Sequence, residues 1–213
     1  GNHVVNNARA IYLAGVSFDC PEWKELALTI IELGVPLVVT EDGFLREGSS
    51  HYQFLFTRWL LEIYYFASIA EDEKMKEFLY PYLQLLLKQC HFFLVYNQSE
   101  EQWNMPLFGD ISPDFPPEWL LYLPWSTLAT DLFTPPSHKK VDSQDCWNQL
   151  WSQANLQGLD TRTNKELHNQ KCTLTYPESG WFRIECGVFT LFYRMDKDTA
   201  PDYVGHHHQD LYH

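Results

Sequence analysis

The sequence predicts an α+β protein, helices first and antiparallel strands last. Two observations predict it. Up to about Phe133 the apolar residues recur at helical spacing, and from Lys171 the period drops to two. Between these regions lies TPPSHKKVDS, residues 134–143, whose Pro, Ser and charges mark a loop or linker. Helices followed by strands segregate into two layers or domains.

The elements follow in order. NHVVNNARAIYLAG sets Val4, Ala8 and Ile11, and Val5 and Tyr12, at helical spacing, with Gly15 near its end. Pro21 suits the first turn of a second helix through EWKELALTIIELG, which Gly34 is expected to stop. VPLVVTEDGFLREGSS then reads as a loop. Ser49 or Ser50 can cap a third helix, in which Tyr52, Leu55, Phe56, Trp59, Ile63 and Phe66 form one stripe. A fourth helix is expected from Asp72 to Val95, then the irregular NMPLFGDISPDFPPEW. Short helices are expected over EWLLYLPWSTLATDLF and QDCWNQLWSQ. KCTLTY, WFRIEC and VFTLFYRM alternate as strands, with PESG as a turn.

Composition narrows the function. A chain of 213 residues that is 45% hydrophobic and 16% aromatic can build a packed core. A net charge of −13 argues against a general nucleic-acid binder, which needs a basic face. An anionic substrate remains compatible, because a local cationic pocket can form on an acidic protein. The five cysteines, Cys20, Cys90, Cys146, Cys172 and Cys186, lack CxxC spacing and predict buried thiols rather than disulfides or a cysteine zinc site. Charged or polar residues interrupt every long apolar run, so no membrane span is expected. The chain opens inside a helical pattern without methionine and stops inside a strand pattern. It reads as part of a longer protein.

Three constellations can carry chemistry. Asn2-His3 stands at a helix start. DGFLREGSSHY ends in Tyr52 at the head of another helix. His206, His207 and His208 precede Asp210 after the strands. Singly, each has a bland reading: a helix cap and a surface histidine, a core tyrosine, a solvated loop.

Together, and in this order, these segments resemble the heparinase II/III-like family of polysaccharide lyases. NHVVNNARAIYLAG resembles its Asn-His helix, and GFLREGSSHYQFLFTRWLLE its next signature. PLFGDISPD resembles its Gly-Asp loop, YPESGWFRIECGVFTLFYR its first sandwich strands, and GHHHQDLYH its His-x-His-x-Asp turn. The resemblance implies an incomplete α/α toroid followed by a β-sandwich, both truncated. Residues 1–160 would be the end of the toroid with its linker, and residues 161–213 the start of the sandwich.

The resemblance also implies the chemistry, β-elimination on a uronic-acid-containing anionic polysaccharide such as a glycosaminoglycan or alginate. The C5 proton is only weakly acidic, and its removal leaves negative charge on the neighbouring carboxylate. Asn2 and His3 at a helix N-terminus suit that charge. Tyr52 would take the C5 proton and return one to the leaving O4, helped by a nearby cation, since a free tyrosine titrates at about 10. His206 would face the same cleft, and Glu47 and Asp110 would bind substrate. His208 would ligate a structural zinc whose other ligands lie beyond His213, while His207 points to the opposite face. The chain alone would then be inactive. A periplasmic or secreted bacterial location goes with the resemblance.

Two family positions differ. Asn6 stands where many members carry glutamate a turn after Asn-His, and Phe56 where some carry arginine, with Arg58 nearby. Other readings are a non-catalytic carbohydrate-binding relative from a surface-polysaccharide locus, or an α/α-toroid glycoside hydrolase. A hydrolase needs two flanking carboxylates. Glu41, Asp42, Glu47 and Asp110 are candidates that the sequence does not pair.

Overall fold

A computed structural model describes residues 1–97, 99–100, 102–109, 120, 173–186 and 189–195. Helices α1 (Asn2–Ser17), α2 (Pro21–Val38), α3 (Ser50–Ile69) and α4 (Glu73–Phe93) come first. Strands β1 (Val95–Asn97) and β2 (Gln102–Asn104) form one antiparallel hairpin. Strands β3 (Thr173–Tyr176), β4 (Trp181–Cys186) and β5 (Phe189–Arg194) form an antiparallel sheet in the order β3-β4-β5. The described residues are thus mixed α+β, and β3, β4 and β5 are the antiparallel strands expected after Lys171. The expected short helices over 118–133 and 144–153 lie outside the described residues, apart from the helical Leu120.

α1 packs against both α2 and α3, and α3 against α4. The inward face of α1 is Asn2, Val5, Ala8, Tyr12 and Gly15, so Val4, expected on the apolar stripe, stands 51% exposed instead. α3 is covered on nearly every side: Phe54, Phe56, Leu60 and Ile63 are fully buried around its circumference. Its expected stripe is therefore only one part of its buried surface, and Tyr52, Leu55 and Phe66 lie half-buried at the margin of the core.

α2 does not stop at Gly34. It runs through Pro36 to Val38. Pro36 faces solvent, where water can satisfy the carbonyl that its missing N–H leaves unpaired. Val35 and Val38 face inward and are buried, so packing holds the extra turn. Gly34 serves contact instead, because a Cβ there would come within 2.9 Å of Val5 Cγ2 on α1. Residues before Phe133 are expected to be almost wholly helical outside loops, and the described ones are, apart from the three-residue strands β1 and β2. α4 ends at Phe93, and Tyr96 pairs with Trp103 across the hairpin, ring centroids 5.1 Å apart.

The three-stranded sheet docks on the helices through its arginine-bearing face. Trp181, Arg183, Phe192 and Arg194 are buried, whereas Ile184 and Leu191, cross-strand partners, are 40% and 46% exposed. Arg183 closes the end of α4, its Nη1 donating to the carbonyls of Phe92 at 2.7 Å and Leu94 at 2.9 Å. A cation there satisfies carbonyls left over at a helix C-terminus and suits the dipole. Ser179, in the β3–β4 turn, donates to Thr40 Oγ1 at 3.0 Å and bonds Asp42, fixing the sheet to the segment that leads to α3. Among the described residues, no helix is long and apolar enough to cross a membrane.

Candidate functional site

The N-termini of α1 and α3 lie side by side. α1 begins at Asn2 with no side-chain cap, so Asn2 is its first helical residue rather than a capping residue. Its side chain turns to the neighbouring helix: Asn2 Nδ2 donates to Glu47 Oε2 at 2.8 Å. Both are buried, at 1% and 6% exposure. A neutral amide donor is a suitable partner for a carboxylate held away from water. His3, the next residue, is exposed.

Glu47 opens the sequence EGSS, which turns the chain into α3. Gly48 has φ of +71°, a conformation that glycine enters without Cβ strain. Ser49 caps the helix, its hydroxyl accepting from the backbone N–H of Tyr52 at 3.1 Å. Ser50 ties in a distant segment. Its hydroxyl donates to the Pro106 carbonyl at 2.6 Å and accepts from Phe108 N–H, while its own N–H donates to the Phe108 carbonyl. Gly109 thereby rests on Ser49, with their backbones close enough that a Cβ on Gly109 would lie 3.0 Å from Ser49 Cα.

Tyr52 sits in the first turn of α3, half-buried against the helical core. The neighbouring His51 ring approaches it edge-on, centroids 5.9 Å apart. His51 is buried, and loss of hydration lowers its pKa below the ordinary histidine range. About two turns into α1, Arg9 ties the same two helices again. Its Nε donates to Asn6 Oδ1 at 3.0 Å, its guanidinium pairs with Glu62, and it lies over Trp59. Asn6 thus orients this ion pair. Phe56, at the family's arginine position, is fully buried.

The structure therefore brings Asn2 and Glu47 into direct contact and sets Tyr52 five residues further on, in the turn that this contact anchors. Asp110, His206 and His208 lie outside the described residues, although Gly109 carries the chain to the residue before Asp110. Sequence reasoning did not single out Ser50, His51 or Arg194. Ser50 was visible only as an alternative cap, and Arg194 only as one charge in an alternating strand. Among the described residues no three His, Cys, Asp or Glu side chains gather as a metal site. The possible hydrolase carboxylates stay apart in role: Asp42 accepts from Thr40, Glu47 accepts from Asn2, and Glu41 is exposed.

No known protein family, curated protein or solved structure matches the chain.

Proposed function

We propose that the chain is part of a heparinase II/III-like polysaccharide lyase, an incomplete α/α toroid joined to a β-sandwich, acting on a uronate-containing anionic glycan. One observation carries this reading: the Asn2–Glu47 hydrogen bond, which unites two of the segments that resemble the family. A shared site requires the two segments to meet, and they do.

The chemistry then divides among the residues. Asn2 has a second amide hydrogen beyond the one given to Glu47, and with His3 it would hold the uronate carboxylate as negative charge builds there. Because Asn2 is buried, an entering sugar has to uncover it, whereas His3 is already exposed. Glu47 holds the Asn2 amide in one orientation, in addition to any contact with the glycan. Tyr52 would remove the C5 proton and protonate O4 from the same face of the ring. His206 and Asp110 belong to the same proposal as cleft residues. His208 belongs to it as the ligand of a structural zinc, and no step is routed through that ion.

The test is the product. The full-length protein, incubated with a panel of polyuronates, should release chains ending in an unsaturated uronyl residue that absorbs ultraviolet light. New reducing ends without that absorbance would make it a hydrolase. Glycan binding without new ends would make it a binding protein.

A further inference from the structure

Arg194 ends β5 as a buried cation, 5% exposed. Its guanidinium lies over the Trp181 ring, 5.3 Å from the centroid. Trp181 is itself fixed: it is 2% exposed, and the rings of Phe44, Phe93 and Phe108 pack on it at 5.6, 5.0 and 5.0 Å. The other side of the guanidinium meets the turn before α3. A Cβ on Gly48 would lie 1.5 Å from Arg194 Nη1 and 2.0 Å from Cζ. The guanidinium therefore fills the space above the Gly48 Cα.

Gly48 joins Glu47, which holds Asn2, to Ser49, which caps the turn carrying Tyr52. Whatever fixes Gly48 fixes both.

We propose that Arg194 is a positioning residue for the candidate site: its guanidinium, seated on Trp181, clamps the Gly48 turn and so orients the Asn2–Glu47 pair and Tyr52. The site is then complete only when the sheet is docked on the helices. This role rests on the lyase reading for the reaction being served, and on the contacts alone for the orientation.

The test separates the two. The side-chain amide signals of Asn2 and Gln53 are followed by NMR in the 213-residue chain and in Arg194→Met and Arg194→Lys variants. Gln53, the residue after Tyr52, is the internal reference, because its Nε2 donates to the carbonyls of Gly43 at 3.0 Å and Leu86 at 3.5 Å rather than to the Gly48 turn. In Arg194→Met the Asn2 signals should move and lose protection from exchange, while those of Gln53 stay. Arg194→Lys should give a smaller change, because lysine keeps the charge without the planar guanidinium. Unmoved Asn2 signals in either variant that folds would overturn the proposal. Loss of the Gln53 signals together with those of Asn2 in both variants would also overturn it, by making Arg194 an element of the whole fold. In the full-length enzyme, Arg194→Lys should lower kcat by about 10- to 100-fold with KM little changed, as expected for a misplaced reacting group. Absence of unsaturated product from the unmodified enzyme, with the Asn2 signals still responding, would refute the lyase reading and leave the positioning role standing.

Discussion

Asn2 and Glu47 form a buried hydrogen bond of 2.8 Å that joins the start of α1 to the turn before α3, across 45 residues of sequence. A hydrogen bond to a charged partner contributes about 1.5–3 kcal/mol, and breaking it leaves a carboxylate short of a donor. Asn2→Ala is expected to lower stability by about that amount. Asn2→Ala and Glu47→Ala together should cost less than the sum of the two, because they remove one shared contact. Urea unfolding of the four proteins in that cycle measures the coupling. Strict additivity would show that the two side chains do not depend on each other.

Gly34 offers a test of how α1 and α2 are held. In an isolated helix Gly→Ala gains about 1 kcal/mol. Here the added methyl would meet the buried, β-branched Val5, and overpacking costs about 1–3 kcal/mol. Gly34→Ala is expected to be destabilising on balance. The loss should shrink when Val5→Ala makes room, which a second denaturation cycle would detect. Stabilisation by Gly34→Ala alone would mean that the helices can move apart freely.

His51 makes stability depend on pH. Its burial lowers the folded-state pKa, so the unfolded chain binds a proton more readily. Stability should therefore fall as pH drops below the ordinary histidine value of about 6.5, and level off once the folded form is protonated too. His51→Gln should remove that part of the slope, seen by comparing urea midpoints of the two proteins at about pH 7.5 and about pH 5.5. An identical pH dependence in the variant would place the slope on other groups.

Much of the fold was legible because period and punctuation agreed. Pro21 does begin α2, Ser49 does cap α3, and the alternation after Lys171 does become β3–β5. The misreadings came where tertiary packing outweighed a local signal. Gly34 looks like a stop, yet Val35 and Val38 are buried and Pro36 faces water, so the helix continues. β1 and β2 have three residues each, too few for an alternating pattern to register. Alternation alone does not say which face of the sheet is inward, and Arg183 and Arg194 lie on the buried face because a helix end and the Trp181 ring receive them. Within the candidate site, Asn2, Glu47 and Tyr52 could be named from their segments. What Gly48 meets could not, because the partner that fills its missing side chain lies on β5, at the far end of the described chain.

On the proposed reading, this site performs β-elimination with Tyr52 as the proton-transferring group. Tyr52→Phe removes only one hydroxyl from a ring that packs against the core, so the fold should survive. The decisive measurement is the ultraviolet absorbance released when full-length enzyme and its Tyr52→Phe variant act on a polyuronate that the unmodified enzyme cleaves. The variant should keep its melting temperature and its glycan binding but lose turnover by at least about 100-fold, the scale of general acid–base catalysis. Turnover within a few-fold of the unmodified enzyme would contradict it.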